Sequence, residues 1–233
     1  MLIHGWGMNS NIWQSIESDL SKHFKLIIIN LPGMGSCSSG YNYSIDSLVK
    51  NLNKLIPNNS TILGWSLGGQ IAIAFEKKFP QRVKKLILIS TTPCFVNKKD
   101  WIFGIDKNNF EKFYSQILIN PKKTIHQFFL LQLHGLENIR KKASDLKENI
   151  LKLGIPSTKA LTSSLNLLLK NDLRKDLDKI NAPTLIIYGD KDRITPPSSS
   201  KFMHQIIKRS SIIVFNGSGH IPFISDPQSF ITL

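Results

Sequence analysis

The segment Gly64-Trp65-Ser66-Leu67-Gly68 constrains the fold more than any other part of this chain. It follows the short apolar run Thr61-Ile62-Leu63 and leads into Gly69–Phe75, which has a helical pattern. A G-x-S-x-G sequence between a strand and a helix is typical of a nucleophile elbow, which exposes the serine hydroxyl at the edge of a sheet. The flanking glycines allow the tight turn without a Cβ clash. The alternative is a glycine-rich turn with an unreactive serine.

Short runs rich in Ile, Leu and Val alternate with helical patterns along the chain. The runs predicted as strands are residues 1–4, 24–30, 61–65, 83–90, 183–188 and 211–215. Most are continuously apolar, as expected of parallel strands that are covered on both faces. Helices are predicted over 11–22 and 44–56, the second with Ser44 as its N-cap. This alternation predicts an α/β fold with a mostly parallel, doubly wound sheet.

One region interrupts the alternation. Residues 100–171 contain no strand pattern and read as several helices, with turns at Asn120-Pro121 and at 154–157. We interpret this region as a helical lid inserted into the core, so that 1–99 and 172–233 form the two parts of the core. An independent helical domain is the alternative.

A serine nucleophile needs a base and an acid that orients the base. Of the six histidines, His220 is the best candidate because it follows a strand in a glycine-containing loop. His4 is expected to fix the loop after the first strand, and the other four lie on helical patterns. The order Ser…Asp…His places the acid after strand 183–188. Asp192 is preferred there, and Asp190 is the candidate for ordering the turn itself.

The reaction also requires N–H donors for the oxyanion. The backbone N–H of Leu67 is one candidate because it follows the nucleophile. The N–H of Trp6, in His4-Gly5-Trp6-Gly7, is the other. The alternative for Trp6 is an ordinary core tryptophan.

Composition restricts the other function classes. The chain has 30 Lys and Arg against 16 Asp and Glu, a net charge of +14. An AT-biased coding sequence explains much of this excess, since Lys, Asn and Ile are all abundant, but a basic surface also suits an acidic partner. There is no nucleic-acid motif and no apolar run of the ~20 residues that a membrane span needs. The two cysteines have no metal-ligand spacing, and the chain opens without a secretory signal, so we expect a cytoplasmic protein.

Four motifs in this order, His4–Gly7, Gly64–Gly69, Gly189-x-x-Asp192 and Gly219-His220, resemble those of the α/β-hydrolase family. The resemblance implies that Ser66 is the nucleophile, His220 the base and acid, and Asp192 the residue that orients His220. It implies Trp6 and Leu67 as the oxyanion donors and no metal or organic cofactor. It also implies that two further strands, which family members carry before the loop His4–Gly7, are missing here.

Three finer segments, Ser90–Phe95, Phe128–Gln132 and His220–Ser225, are similar to the carboxylesterases that act on pimeloyl-[acyl-carrier protein] methyl ester in biotin biosynthesis. That similarity implies an acyl-carrier protein as partner, docked through Lys123 and Arg140, and we expect a monomer. It also implies a lid wall that contacts the acyl chain, made of Phe128, Phe129, Leu130, Leu131 and Gln132. The alternatives are a broad short-chain carboxylesterase, a hydrolase of C–C bonds, and a non-catalytic hydrolase scaffold.

Overall fold

A parallel sheet forms the centre of the protein. The computed structural model describes residues 1–37, 43–134 and 148–233. In these ranges the strands are β1 Leu2–Ile3, β2 Ser60–Trp65, β3 Val83–Ile89, β4 Thr184–Gly189 and β5 Ser210–Phe215. They are all parallel and lie side by side in the order β1-β2-β3-β4-β5. The predicted parallel α/β fold is therefore confirmed, and the carboxyl ends of all these strands meet at one edge.

Helices connect the strands and cover both faces of the sheet. They are α1 Gln14–Ser21, α2 Ile45–Asn53, α3 Leu67–Lys78, α4 Lys107–Ile119, α5 Pro121–Gln132, α6 Thr158–Lys170, α7 Pro197–Ile206, α8 Pro222–Ser225 and α9 Pro227–Ile231. Short 3₁₀ helices lie at Ser10–Trp13, Pro80–Arg82 and Arg174–Lys179. The predicted N-cap of α2 is confirmed, because the Ser44 side chain accepts a hydrogen bond from the Ser47 N–H. No helix in the described ranges is long and apolar enough to cross a bilayer.

The prediction of a strand over residues 24–30 is wrong. This segment forms only an isolated parallel bridge between Ile28 and Leu2. The Leu2 N–H donates to the Ile27 carbonyl at 2.8 Å, and the Ile29 N–H donates to the Leu2 carbonyl at 3.3 Å. Because β1 is only two residues long, it offers the neighbouring segment too little backbone for a continuous ladder.

The sheet separates two apolar clusters, since successive side chains of a strand point to opposite faces. Ile62, Leu86 and Leu88 belong to the larger cluster, which includes residues of α2, α3, α6 and α7. Leu63 and Ile187 belong to the other, which includes residues of α1, α8 and α9. The fold is thus doubly wound, as the sequence predicts.

The described part of 100–171 contains the helices α4, α5 and α6 and no strand of the sheet. Leu161, Leu165 and Leu168 of α6 lie in the larger cluster, so this segment shares its core with the sheet. Arg174 forms ion pairs with Asp172 and Asp100, at the two ends of the segment. The hydrogen bond from Arg174 holds the pKa of Asp172 well below its usual range. The boundaries 1–99, 100–171 and 172–233 remain a prediction.

Candidate active site

The predicted elbow connects β2 to α3. Ser66 has φ +56° and ψ −117°, a strained conformation for a residue other than glycine. A Cβ on Gly68 would lie 2.1 Å from the Ile3 carbonyl oxygen, and one on Gly64 would lie 2.4 Å from the Gly68 carbonyl oxygen. Only glycine fits at these two positions, so the spacing of the motif follows from the contact between the turn, β1 and α3.

The end of β3 holds the elbow from the other side. The Ser66 N–H donates to the Ile89 carbonyl at 2.9 Å, and the Thr91 hydroxyl donates to the Ser66 carbonyl at 2.6 Å. A Cβ on Gly69 would lie 2.5 Å from Thr91. These contacts fix the main chain of Ser66, while its side chain faces a cavity.

The loop after β4 buries the predicted acid. Oδ1 of Asp192 accepts the N–H groups of Ile194 at 2.8 Å and Thr195 at 3.0 Å. Its Oδ2 accepts the Thr195 hydroxyl at 2.7 Å and Nδ1 of His220 at 2.8 Å. Asp190 has a different role: its Oδ1 accepts the Gly217 N–H at 2.6 Å and so ties this loop to the one after β5.

The loop after β5 places His220 beside Asp192. Its imidazole is buried, and Nδ1 is bonded to Asp192. The backbone N–H of His220 donates to the Gln132 carbonyl at 3.3 Å, and its backbone carbonyl accepts the Trp65 indole N–H at 2.9 Å. Nε2 has no hydrogen-bond partner among the described residues, so the Ser66 hydroxyl is not bonded to it here.

The predicted oxyanion donors lie next to the elbow. Leu67 is the first residue of α3, so its N–H has no partner within the helix. Trp6 is buried in the loop after β1, and a Cβ on the preceding Gly5 would lie 3.2 Å from the Ser66 Cβ. In the described structure neither N–H, of Trp6 or of Leu67, donates to an acceptor of the protein.

His4 fixes the loop that carries Trp6, as expected. Its Nδ1 donates to the Gly5 carbonyl at 2.8 Å, and its Nε2 accepts the Leu31 N–H at 3.0 Å. Burial lowers the pKa of His4 to about 4. The imidazole is therefore neutral, and both of its nitrogens are used.

A cavity of about 310 Å³ opens beside Ser66. Its walls are mostly apolar and include Trp6, whose ring lies edge-on to Phe113 and Phe128 with centroids 5.4 and 5.1 Å away. Of the described residues that line it, only Ser66, Asn109 and Arg193 are polar. This composition suits an apolar acyl group whose reactive carbonyl reaches the serine.

The predicted lid wall is only partly at this cavity. Phe128 and Leu131, three residues apart on one face of α5, line it. Phe129 belongs to the smaller apolar cluster on the other face, and Leu130 is 42 % exposed. Gln132 is buried, and neither amide atom of its side chain has a partner among the described residues.

The two predicted docking residues are Lys123 and Arg140. Lys123 is exposed on α5. Arg140 lies outside the described residues.

Thr195 and Arg193 are site residues that the sequence motifs do not predict. The signal for Thr195 was the spacing Asp-x-x-Thr, since an Asp often accepts hydrogen bonds from the residues two and three positions on.

Within the described ranges, no group of three His, Cys, Asp or Glu side chains lies together in a way that could hold a metal ion.

Comparisons with known proteins agree with this fold. The sequence profile of the family described as "alpha/beta hydrolase fold" matches residues 1–227. A pimeloyl-[acyl-carrier protein] methyl ester esterase of Nitrosomonas europaea is 33% identical over 232 residues, which cover 100% of this chain and 92% of the relative. The esterase of the same name in Klebsiella pneumoniae is 33% identical over 230 residues, 99% of this chain and 89% of the relative.

Solved structures are also similar. The esterase EaEST of Exiguobacterium antarcticum superposes with a TM-score of 0.91 at 25% identity, over 99% of this chain and 88% of that one. A bromoperoxidase of Bacillus anthracis superposes with a TM-score of 0.92 at 25% identity and the same coverage.

Proposed function

Because this chain belongs to the α/β-hydrolase family and is a hydrolase, we propose that it is a serine carboxylesterase acting on pimeloyl-[acyl-carrier protein] methyl ester in biotin biosynthesis. Ser66 is the nucleophile, His220 the base and acid, and Asp192 the residue that orients His220. The proposal is carried by the buried 2.8 Å hydrogen bond between His220 Nδ1 and Asp192 Oδ2, at the sheet edge where the elbow lies. The names of relatives 33% identical over the whole chain supply the substrate.

The first step is attack on the ester carbonyl. Asp192 holds the proton on Nδ1 of His220, so that Nε2 carries the lone pair that takes the Ser66 proton. The contact between Ser66 and Nε2 closes when substrate binds, and in unliganded enzymes such contacts are often long. The N–H groups of Trp6 and Leu67 receive the oxyanion, and losing one such donor typically costs about 3 kcal/mol of transition-state stabilisation.

The remaining steps reuse the same groups. His220 gives its proton to the departing methanol, which leaves the acyl group on Ser66. A water molecule then loses a proton to His220 and attacks the acyl-enzyme. His220 returns that proton to the Ser66 oxygen as the acid departs. In this mechanism His220 carries every proton that is transferred, and the N–H groups of Trp6 and Leu67 only donate hydrogen bonds.

The cavity beside Ser66 is the proposed acyl site. Its volume of about 310 Å³ equals that of roughly ten liquid water molecules, which suits a medium-length acyl chain. Phe128 and Leu131 form its lid side, and we assign 100–171 as that lid. Residues 120–159 contain eight Lys and Arg against three Asp and Glu, so an acidic carrier protein would dock at this end, through Lys123 and Arg140. We expect the enzyme to act as a monomer.

A broad-specificity carboxylesterase is the second candidate, favoured by the similarity to the Exiguobacterium antarcticum esterase. A comparison of kcat/KM for carrier-bound methyl ester and for a simple nitrophenyl ester separates the two. The proposal requires a preference of about tenfold or more for the carrier-bound ester, because remote binding energy is used in the transition state. Equal values would favour the broad esterase.

The nucleophile is tested with Ser66→Ala. We expect kcat to fall about 10⁴-fold or more, because the covalent route is lost. A fluorophosphonate should label the wild-type chain at Ser66 and leave Ser66→Ala unlabelled, as measured by mass spectrometry of the peptides. Ser115→Ala, which changes an exposed serine on α4, is the control and should be labelled like the wild type. An unlabelled wild-type chain would contradict the serine mechanism.

A further inference from the structure

The cavity beside Ser66 contains a positive charge that the proposed mechanism does not use. Arg193 is exposed and lines this cavity together with Ser66 and the apolar side chains. None of the other described lining residues is acidic. Asn109, Leu131 and Arg193 are the exposed residues among those described that line the cavity, so we infer that its mouth lies beside them.

The charge of Arg193 is not neutralised within the described part of the protein. Arg174 is paired with Asp172, and Arg82 and Arg209 donate to carbonyl groups. Arg193 has neither an ion pair nor a hydrogen bond there. Both carboxylate oxygens of the adjacent Asp192 accept hydrogen bonds from other donors.

The loop holds Arg193 in a defined place. The N–H groups of Ile194 and Thr195, the two residues that follow it, both donate to Asp192 Oδ1. The main chain of Arg193 is thus enclosed by the hydrogen bonds that orient the proposed catalytic acid. A guanidinium on such a support matches the planar, two-oxygen shape of a carboxylate.

We propose that Arg193 binds a second carboxylate at the far end of the acyl chain, which makes free half-esters of dicarboxylic acids a further substrate class. This inference rests on the proposed esterase function. In the reaction the acyl C–O bond of the ester breaks, water supplies the new oxygen, and methanol and a proton are released. The remote carboxylate is unchanged and serves only for binding. The net charge of +14 also attracts such anions.

The test compares two methyl esters of equal chain length, monomethyl heptanedioate and methyl heptanoate, at pH 7. For the wild type we expect kcat/KM to favour the half-ester about fivefold to tenfold, through a lower KM, because one partly exposed charge-assisted pair forms. Arg193→Gln should bring the ratio close to one, and Arg193→Lys should give an intermediate ratio. The wild-type preference should also shrink as the salt concentration rises.

Lys191→Gln is the matched control. Lys191 is an exposed cation two residues away that is paired with Asp190 at 3.7 Å and does not line the cavity. This variant should keep the wild-type ratio. A ratio near one in the wild type, or an unchanged ratio in Arg193→Gln, would overturn the inference while ester turnover still supports the proposed function. Failure of the wild type to hydrolyse either free ester, while it still hydrolyses the carrier-bound methyl ester, would overturn the inference alone. Failure on all three esters would overturn both.

Discussion

Asp192 is the most heavily bonded side chain of the site. Two backbone N–H groups, one hydroxyl and the His220 imidazole all donate to its carboxylate. Together these donors fix the orientation of the carboxylate. A carboxylate held by its own loop can orient His220 without being moved by it, which is what an orienting acid requires.

The Thr195 hydroxyl is the donor that a substitution can remove alone. In Thr195→Val the shape is kept, but Oδ2 loses its 2.7 Å bond. We expect kcat/KM to fall about tenfold with little change in KM, because a hydrogen bond to a charged group is worth roughly 1.5–3 kcal/mol and Thr195 acts through Asp192 and His220. Steady-state kinetics on a methyl ester measures both parameters.

Two variants separate orientation from stability. Thr195→Ser restores the donor and should recover most of kcat. Thr184→Val removes another buried hydroxyl, which donates to the Ala182 carbonyl at 2.9 Å at the start of β4. It should lower stability by about 1 kcal/mol and leave kcat unchanged. Wild-type kcat in Thr195→Val would show that the hydroxyl has no part in orienting the site.

The sequence predicts the site residues that directly follow strands. It does not predict the loop residues whose side chains face the site. Ser66, Asp192 and His220 are recognisable because turn residues surround each of them. Thr195 and Arg193 are not, since the direction of a loop side chain depends on which hydrogen bonds close the loop. Asp190 shows the same limit: its carboxylate bonds across to Gly217 instead of ordering its own turn.

The loop after β5 lies in close contact with the last residue of β4. A Cβ on Gly189 would lie 2.1 Å from the Gly219 carbonyl oxygen and 2.2 Å from that of Ser218. On the other side, a Cβ on Gly219 would lie 2.2 Å from the His134 carbonyl oxygen. The loop that carries His220 is therefore held between the sheet and the end of the α5 segment.

Gly189→Ala tests this contact. The methyl group cannot fit unless the loop moves, so we expect a loss of about 3–5 kcal/mol in the free energy of unfolding and a large drop in kcat. Gly217→Ala is the control in the same loop, because its Cβ would meet nothing within 4 Å and only its φ of +76° is unfavourable. It should cost about 1 kcal/mol. Urea unfolding compares them, and equal losses would contradict a steric role for Gly189.

The sequence predicts where strands and helices lie better than it predicts which other elements they contact. The apolar runs at 61–65, 83–90, 183–188 and 211–215 all become strands of the sheet. The run at 24–30 does not, because its partner β1 is too short. Whether this run forms a strand therefore depends on a segment that is distant from it in the sequence. Likewise the five-residue run Phe128–Gln132 predicts contact with substrate, but a helix turns Phe129 and Leu130 away from the cavity.

Across the whole molecule, one buried histidine makes the stability depend on pH. His4 is fully buried, and the Leu31 N–H donates to its Nε2, so the native state favours the neutral imidazole. Burial lowers its pKa from 6.5 to about 4. Between these two values the unfolded chain binds a proton that the folded chain does not, so acid favours unfolding in this range.

We therefore expect His4 to remove about 3 kcal/mol of stability between pH 7 and pH 4, since each pKa unit corresponds to about 1.4 kcal/mol. The loss begins as the pH falls through 6.5 and is complete below 4. In His4→Asn, urea unfolding should give a lower stability at pH 7 but a decline to pH 4 that is smaller by that amount. His23→Gln, which changes an exposed histidine, should decline as the wild type does. The His4→Asn substitution removes only the His4 imidazole. If stability still declined as steeply as in the wild type, groups other than His4 would cause the acid sensitivity.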